Sequence, residues 1–494
     1  MSGINRSKGL LHCILSKCTI LSYVLGKNFL FFSVFDDVSP LCFNIFMENT
    51  MQNNRRSFLK ETGLGILGLP IIGSTFYQRA TAASVAPAKK KPFKLGKAKS
   101  VIQIWMWGGP SHLETFDPKP GAGRDYCGDW DKPLKTNVPN IEISQSLPNL
   151  AKCADLYSII RGMGHRNNHH EQASYLMQTG RMPGGGLVFP GVGAVISKIK
   201  GYDNNYDHPI PPYVVLTNPQ GRFSESGFLG PKYKPFVTGG DPSKNPFLVS
   251  GYVVEGITDA RREQRKRLQE SLDTFGKAVR DDSFIEEMEV AKHNAYNLLT
   301  GDAVKIFDLG LEPEKTREEY GKNWFGQSCL MARRLVQNGI PYITINYRGW
   351  DTHKRHFEAL TRTQPQWDKG LSALLRDLAD KKLLDSTIVW WGGEFGRTPK
   401  IGWNSPWFGG RGHFGNCFSV VLAGGGFRGG RVVGESNATG EAVAKRLVAP
   451  QDLLGSIYAM LGIDPTGPLT NNQGFNVPLM PEPSAEGFLQ ELMS

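Results

Sequence analysis

Short clusters of histidine, carboxylate and arginine side chains recur along this chain. Three clusters follow apolar runs that are typical of buried strands, and a fourth lies in a glycine-rich loop. Seven of the nine histidines beyond residue 82 lie in such clusters or in "GHRNNHHEQ", which favours a shared site. The main residues are Glu114 and Asp117 after "VIQIWMWGG", Asp351, His353 and His356 after "ITINYRGW", Glu394 and Arg397 after "TIVWW", and Arg411 and His413 in "GGRGHFG".

Imidazole nitrogens and carboxylate oxygens together form the ligand set that borderline divalent metals prefer. A single histidine in a loop is more simply explained as a hydrogen-bonded structural residue. Four clusters, each placed near the end of a predicted strand, instead favour a metal site. The sequence does not distinguish Zn, Mn, Fe or Ca as the divalent metal.

Apolar runs that predict strands alternate with amphipathic segments that predict helices. The predicted strands include "SVIQIWMWGG", "PPYVVLTN", "YITINY", "STIVWWGGE" and "FSVVLAGGG", and the predicted helices include "HHEQASYLMQTG", "SCLMARRLVQ", "QWDKGLSALLRDLADKKLL" and "APQDLLGSIYAMLGID". This alternation is typical of an α/β protein with a mostly parallel sheet covered by helices on both faces. Ligands of such sheets bind beyond the carboxyl ends of the strands, where the clusters lie.

The net charge of +11 does not by itself indicate a nucleic-acid-binding protein. Part of the excess lies in "APAKKKPFKLGKAKS", which is typical of a solvated linker, and no basic patch interleaved with aromatic residues follows it. We therefore expect no nucleic acid among the partners.

The segment "NNRRSFLKETGLGILGLPIIGSTFYQRATAA" resembles a twin-arginine export signal. It combines Arg55 and Arg56 with a glycine-rich apolar run and the small-x-small cleavage site Ala80-Thr81-Ala82. The apolar run is too short and too rich in glycine for a stable transmembrane span. We expect export to the periplasm or the extracellular space, with the twin-arginine translocase as a partner during export.

These features divide the chain into five parts. Residues 1–50 precede the signal and are predicted to be a mis-assigned or non-structural extension, because export signals normally begin a chain; Met47 or Met51 is a better start. The other parts are the signal 51–82, the basic linker 83–98, a catalytic-type domain 99–482 with a helical insertion at about 259–300, and a tail 483–494.

Four motifs behind the twin-arginine leader resemble one family of exported bacterial proteins. The motifs "GGPSHLETFDPKP", "GWDTH", "GGEFGRTP" and "QDLLGSIYAMLGID" are similar to the family catalogued as domain of unknown function 1501, within the alkaline phosphatase-like superfamily of sulfatases and phosphatases. The resemblance covers nearly all of the exported part. It implies an alkaline phosphatase-like three-layer α/β/α fold with a metal centre at the ends of the strands.

The resemblance also implies metal ligands. Asp351 and His353 resemble an Asp/His pair that follows one strand, with His356 as a competitor for the second position because the spacing in the superfamily is usually wider. His413 resembles a lone histidine ligand that comes late in the chain.

Two further strand ends depart from the superfamily pattern. Glu394 keeps a carboxylate after the next strand, but Phe395 stands where a histidine ligand is expected. At the first strand Trp107 stands where an aspartate is expected, so Glu114 or Asp117 would have to replace it.

A histidine occupies the position of the superfamily nucleophile. Counted back from Gly180, the place of the usual Cys, Ser or Thr falls on His170, and Ser174 faces about one turn away. His170, or the adjacent His169, is therefore a candidate nucleophile, general acid or base, or further ligand. The absence of a Cys at this place argues against a conventional sulfatase mechanism.

Arginines complete the predicted site, since Arg397, together with Arg161 or Arg411, would bind an anion bidentately as charge develops.

The resulting hypothesis is a metal-dependent hydrolase of phosphate or sulfate esters, acting on a small anionic ester or on a sulfated or phosphorylated glycan. The alternative is a non-catalytic exported binding protein for anionic glycans or for a partner enzyme, because the nucleophile, one histidine ligand and the first aspartate are missing.

Overall fold

One sheet of eight strands organises the computed structural model, which describes residues 95–219, 225–244, 247, 264, 267, 303–471 and 473–493. Eight further strands in this part of the chain form four short pairs. In chain order the strands are β1 (Ser100–Met106), β2 (Leu134–Lys135), β3 (Glu142–Ile143), β4 (Tyr157–Met163), β5 (Tyr213–Leu216), β6 (Phe236–Val237), β7 (Tyr342–Tyr347), β8 (Thr387–Gly392), β9 (Gly396–Arg397), β10 (His413–Phe414), β11 (Phe418–Ala423), β12 (Val432–Val433), β13 (Glu435–Ser436), β14 (Val443–Lys445), β15 (Pro468–Thr470) and β16 (Asn476–Pro478).

The strand order of the large sheet is β12-β4-β11-β8-β1-β7-β5-β6. Neighbouring strands run parallel except at β11, which is antiparallel to both β4 and β8. Strands β1, β4, β7 and β8 therefore all end at the same edge of the sheet, and β11 begins there. The predicted mostly parallel sheet is confirmed, and its direction explains why polar clusters that are far apart in sequence meet at one edge.

Both faces of the sheet are buried, as its continuous apolar runs indicate. In β1, Val101 and Trp105 belong to the core on one face, whereas Ile102 and Ile104 belong to the core on the other. Each of the four side chains is at most 1 % exposed. The alternation follows from the pleat of a strand, which directs successive side chains to opposite faces.

Helices cover each face, which gives the predicted three-layer α/β/α fold. Leu330 and Leu371, from two long helices, pack in the core of Ile102, and Met177 and Leu453 pack in the opposite core. The helices of the described chain are α1 (Arg124–Cys127), α2 (His170–Thr179), α3 (Val192–Ile196), α4 (Ala303–Phe307), α5 (Glu314–Tyr320), α6 (Trp324–Gln337), α7 (His356–Asp380) and α8 (Pro450–Met460). None of these helices is long and apolar enough to cross a membrane.

The amphipathic stretch in the sequence predicts a helix that begins at Gln366. In the structure this helix, α7, begins ten residues earlier, at His356. Pro365 lies inside the helix. Because proline removes one helical hydrogen bond, a sequence pattern places a helix boundary beside it. Burial keeps the first turns helical here, since Leu360 is 1 % exposed and Gln364 is fully buried. The helix thereby starts directly behind the loop that carries Asp351 and His353.

The predicted tail 483–494 packs onto the domain. Leu489 and Leu492 are fully buried, and the backbone N–H of Ser484 donates to Asp452 at 2.8 Å. The segment beyond the predicted boundary at residue 482 thus contributes side chains to the core. The extension 1–50, the export signal 51–82, most of the linker 83–98 and, apart from 264 and 267, the insertion at about 259–300 lie outside the described residues.

Strand β1 ends in a turn that favours glycine. The φ angles of Gly108 and Gly109 are +109° and +80°, in the region that other residues rarely adopt. A Cβ atom on Gly108 would lie 2.2 Å from the backbone nitrogen of Asp351, and one on Gly109 would lie 2.5 Å from the carbonyl oxygen of Phe395. The loops that follow β1, β7 and β8 are therefore in backbone contact.

This close approach predicts a specific sensitivity to substitution at Gly108. We expect Gly108→Ala to lower the free energy of unfolding by about 3 kcal/mol, because the added methyl group both strains the backbone and displaces the Asp351 loop. In the control Gly123→Ala, φ is +85° and no described heavy atom lies within 4 Å of the new Cβ, so we expect a loss of only about 1 kcal/mol. Urea unfolding measures both variants, and equal losses would contradict the prediction.

Candidate metal centre

Loops from four strand ends and one short strand pair meet at the carboxyl edge of the sheet. Each contributes a side chain or a backbone group to one cleft. The contributions are Gly108 after β1, His170 at the start of α2 after β4, Asp351 and His353 after β7, Glu394 after β8, and His413 on β10, where it pairs with Arg397 on β9.

Three side chains converge on one point of this cleft. The Nε2 atoms of His353 and His413 lie 2.9 Å apart, and they lie 3.0 and 3.1 Å from Oδ1 of Asp351. On the other side of the carboxylate, Nε2 of His170 lies 3.4 Å from Oδ2. Among the described residues, the ligand atoms of His170, Asp351 and His413 all lie within 4.8 Å of one another.

These separations fit ligands that share one metal ion. Donor atoms about 2.05 Å from an ion lie about 2.9 Å apart at octahedral angles and about 3.3 Å apart at tetrahedral angles. The triangle of Asp351 Oδ1, His353 Nε2 and His413 Nε2 has edges of 2.9, 3.0 and 3.1 Å, within that range. The structure thus brings together three of the residues that the sequence predicts as ligands.

The tautomer of His413 also fits ligation. Its Nδ1 lies 2.9 Å from the carbonyl oxygen of Asn168, which can only accept, so Nδ1 carries the proton. Burial lowers the pKa of His413, which favours the neutral ring. The lone pair of Nε2 then faces Asp351 Oδ1, a second acceptor, at 3.1 Å. A cation between two such acceptors makes their approach favourable.

Glu394 holds His170 instead of joining the triangle. Its Oε1 accepts hydrogen bonds from His170 Nδ1 at 2.6 Å and from the backbone N–H of Gly108 at 2.9 Å. The hydrogen bond to Glu394 raises the pKa of His170. Glu394 is fully buried, and no described residue hydrogen-bonds its Oε2. A buried carboxylate oxygen without a hydrogen-bond donor is energetically costly, and a bound cation would provide the missing interaction.

Arg397, which the sequence predicts as an anion clamp, is the charge partner of Asp351 in the structure. The side chain is fully buried, its Nη2 bonds both Asp351 and the carbonyl oxygen of Gly108, and its Nε donates to Gly109 at 3.1 Å. Burial opposes ionisation of Asp351, but the hydrogen bond and the charge of Arg397 outweigh it and lower the pKa of Asp351 to about 2. Arg397 therefore orients the carboxylate and keeps it ionised.

A second, buried network engages three further residues of the predicted site, Glu114, Arg411 and His356. Glu114 accepts from Arg411 at 2.5 Å and lies 3.0 Å from Nε2 of His356, whose Nδ1 lies 2.5 Å from Oγ1 of Thr352. All four residues are at most 7 % exposed. These contacts engage Glu114 as an ion-pair partner rather than a metal ligand, Arg411 as its counter-ion rather than an anion-binding group, and His356 as a bridge rather than an alternative ligand.

Asp117 and Arg161, predicted as a metal ligand and an anion-binding group, are likewise engaged with each other and with backbone groups. Nε of Arg161 lies 3.4 Å from Asp117 Oδ1 and donates to the carbonyl oxygen of Phe116 at 2.9 Å. Asp117 also pairs with Lys119 at 3.0 Å and accepts a hydrogen bond from Ser436.

The two histidines at the start of α2 differ in environment. His169 is exposed at the N-terminal boundary of the helix, whereas the side chain of His170 is 25 % exposed and faces Asp351. Ser174 is buried on the same helix, 4 % exposed.

Sequence reasoning missed His165, whose Nε2 donates to the backbone oxygen of Glu394 at 2.7 Å. Its place in "GHRNNHHEQ" was the available signal.

Aromatic rings enclose the imidazoles. Trp107 stacks on His170 at 6.0 Å between ring centroids, Phe395 stacks on His413 at 4.6 Å, and Trp407 lies 5.6 Å from His353. Phe395, which replaces an expected histidine ligand, thus acts as a wall of the cleft. Such rings restrict how each imidazole can turn and exclude water from its faces.

The buried pair of Glu114 and Arg411 predicts a pH-dependent stability. Burial opposes ionisation of Glu114, but the charge of Arg411 and the hydrogen bond with His356 lower its pKa from 4.5 to about 2. The resulting stabilisation, about 3 kcal/mol, is present above the unfolded pKa and is lost as the pH falls towards the folded pKa.

We therefore expect Glu114→Gln to be less stable than the wild type at about pH 6, with a difference that shrinks by about 2 kcal/mol at about pH 3, because the unfolded wild-type chain binds a proton on Glu114 there while the folded chain keeps this carboxylate mostly ionised. Urea unfolding at both pH values measures the difference. A difference that stays constant between the two pH values would show that Glu114 is not held ionised by its partners.

Comparison with solved structures returns proteins of similar fold at low identity. A lipoteichoic acid synthase from Listeria monocytogenes is 9 % identical, covers 80 % of this chain and 78 % of its own, and has a TM-score of 0.36. A sulfatase from Pseudoalteromonas sp. is 13 % identical over 74 % of this chain and 68 % of its own, with a TM-score of 0.31. A protein in the alkaline phosphatase superfamily from Vibrio parahaemolyticus is 10 % identical over 75 % and 67 %, with a TM-score of 0.33.

At these identities and TM-scores, the likenesses assign no superfamily to this chain and no role to any residue. None of the curated proteins compared matches this chain. The family described as "Protein of unknown function (DUF1501)" matches residues 98–486, which include every side chain of the cleft. Because that match covers far more than half of the sequence, the chain belongs to this family.

Proposed function

We propose that this protein is an exported, metal-dependent hydrolase of phosphate or sulfate esters. The observation that carries the proposal is the convergence of Asp351, His353 and His413, whose ligand atoms form a triangle with edges of 2.9 to 3.1 Å. His170 and Glu394 lie beside that triangle as a hydrogen-bonded pair. A cation site flanked by a group that can transfer a proton is an arrangement that can catalyse ester hydrolysis.

The residues present fit a divalent cation. Asp351, His353 and His413 would hold it, with His170 within reach as a further ligand. A cation bound there would polarise an ester oxygen and lower the pKa of a bound water molecule. The mixture of imidazole and carboxylate favours Zn, Mn or Fe over Ca. Arg397 contributes by fixing Asp351 in its ionised form.

His170 is proposed as the proton-transfer group. Glu394 accepts the hydrogen on Nδ1 at 2.6 Å, which fixes the ring and leaves Nε2 turned towards Asp351. Stacking on Trp107 limits rotation of the imidazole. From this position Nε2 can give a proton to a leaving oxygen or accept one from an attacking water.

A second candidate function is a non-catalytic exported protein that binds an anionic glycan or a partner enzyme. The observation that favours it is the state of the three arginines predicted to clamp a phosphate or sulfate. Arg397 and Arg411 are fully buried in contacts with the protein, and Arg161 bonds to Asp117 and backbone oxygens. With these three arginines engaged, the cation and His170 would have to supply part of the charge that neutralises a substrate.

Export is part of the proposal and rests on the sequence. The twin-arginine motif at Arg55 and Arg56 is followed by an apolar run and a cleavage site. The twin-arginine translocase would then carry the protein to the periplasm or beyond, where a small anionic ester or a sulfated or phosphorylated glycan would be available.

The cation site predicts metal binding that depends on His413. We expect the purified wild type to hold about one equivalent of transition metal, and His413→Ala to weaken its binding by about 100-fold or more, since the triangle loses one corner. Elemental analysis after dialysis against a metal buffer measures the content. His169→Ala is the control, because that neighbouring histidine is exposed. Wild-type protein that holds less than about a tenth of an equivalent of metal would contradict the proposal of a metal-dependent hydrolase.

The role of His170 predicts a loss of activity that exceeds any loss of metal. With aryl phosphate, phosphodiester and sulfate ester substrates, we expect His170→Ala to lower kcat/KM by about 10²- to 10⁴-fold on the ester that the wild type hydrolyses. His169→Ala should stay within about twofold of the wild type. Activity of metal-loaded His170→Ala equal to wild type would exclude His170 from proton transfer. Metal-loaded wild type without turnover on all three esters would favour the binding protein.

A further inference from the structure

An exposed aromatic groove lies close to the candidate metal centre. The groove, about 180 Å³ in volume, opens between the start of α7 and the loop that joins β9 to β10. The side chains that define this aromatic groove are Phe357, Trp403, Phe408, Asp129, Arg355 and Glu358.

The aromatic side chains of the groove are unusually open to solvent. Trp403 is 40 % exposed and Phe408 is 58 % exposed. Phe357 lies parallel to Trp403, with an angle of 8° between the ring planes and 6.4 Å between the centroids. Large apolar rings exposed together on a surface indicate a binding site, because burial does not explain their presence.

The backbone at Phe408 points to the same conclusion. Its φ angle is +46°, in the left-handed region where a bulky residue is strained. The strain is not offset by burial of the ring, which stays 58 % exposed. Strained residues that present an exposed side chain are typical of ligand-binding sites.

Charged side chains form the rim of the groove. The side chains of Asp129, Arg355 and Glu358 are 84 %, 67 % and 57 % exposed. Arg355 and Glu358 lie 3.8 Å apart, too far for a strong hydrogen bond, so both retain capacity for a ligand. Together they offer the donors and acceptors that hydroxyl groups use. Arg124 lies 3.5 Å from Asp129 and Arg362 lies 3.9 Å from Glu358, so positive and negative charges around the groove are nearly balanced, which suits a neutral ligand.

We propose that the aromatic groove binds a neutral sugar ring of a saccharide. The flat apolar face of a six-membered sugar ring can pack on Trp403 and Phe408 while its hydroxyl groups bond to the rim. The groove volume of about 180 Å³ is roughly the volume that six molecules occupy in liquid water, which suits a single six-membered sugar ring. A proline-rich peptide, the other usual ligand of aromatic grooves, needs a longer track of about 3.1 Å per residue.

The groove and the metal centre are built from the same two segments. The backbone N–H of Arg355 donates to the carbonyl oxygen of Trp407 at 3.1 Å, and the ring of Trp407 lies 5.6 Å from that of His353. A saccharide in the groove thus lies beside the cleft of Asp351. The inference rests on the proposed function only in identifying this sugar as a neighbour of the ester group; binding of the sugar does not depend on catalysis.

Binding of three neutral oligosaccharides, cellohexaose, mannohexaose and β-1,4-linked galactohexaose, tests the inference. Calorimetry and intrinsic tryptophan fluorescence are measured on the full chain, with and without metal. We expect at least one of them to bind, with and without metal alike, and Trp403→Ala to weaken that binding by about tenfold or more. Trp403→Phe, which keeps a flat ring, should lose less. Phe475→Ala, which removes a 66 % exposed ring elsewhere, should match the wild type.

Several results would overturn the inference. The first is that none of the three oligosaccharides binds at millimolar concentration. The second is that wild type and Trp403→Ala bind the sugars equally well, and the third is that a decaproline peptide binds more tightly than the sugars. Because metal content is measured separately, failure of sugar binding with an intact metal site refutes only the groove. Sugar binding without any metal site refutes only the hydrolase.

Discussion

The buried guanidinium of Arg397 holds the candidate site together. It comes from the short strand after β8 and bonds the carboxylate of Asp351 after β7 and the carbonyl oxygens of Gly108 and Gly109 after β1. Three loops that are far apart in sequence thereby share one hydrogen-bonding centre. A buried charge is stable only when it is paired and its donors are satisfied, so displacement of any one loop would leave Arg397 in an unfavourable state. The position of Asp351, and with it the cation site, follows from this constraint.

Much of the fold and the general place of the site could be predicted from the sequence. Apolar runs that alternate with amphipathic segments predict the parallel sheet, and the direction of parallel strands brings Asp351, His353 and Glu394 to one edge. His413 was also found, although it precedes an antiparallel strand. These predictions depend on periodicity and chain direction, which are local properties of a sequence.

The partners of each charged side chain could not be predicted in this way. An arginine that clamps a substrate and an arginine that pairs with a carboxylate have the same appearance in a sequence, so the partners Asp351 of Arg397 and Glu114 of Arg411 could not be predicted. Glu114 lies only a few residues past its strand, as a ligand would, but it is occupied by Arg411 and His356. The carbonyl oxygen of Asn168, which sets the tautomer of His413, carries no sequence signal because every residue has one.

The short pairing of β9 with β10 joins residues of the candidate metal centre to the loop that carries part of the aromatic groove. Main-chain pairing of Arg397 with His413 closes the segment between them at both ends. That segment, residues 398–412, carries Trp403 and Phe408 at the groove, and it also carries Arg411, which is held in place by its buried ion pair with Glu114. Exchange of the side chains at positions 403 and 408 would therefore change the surface offered to a ligand, while Arg397, Arg411 and His413 keep their contacts.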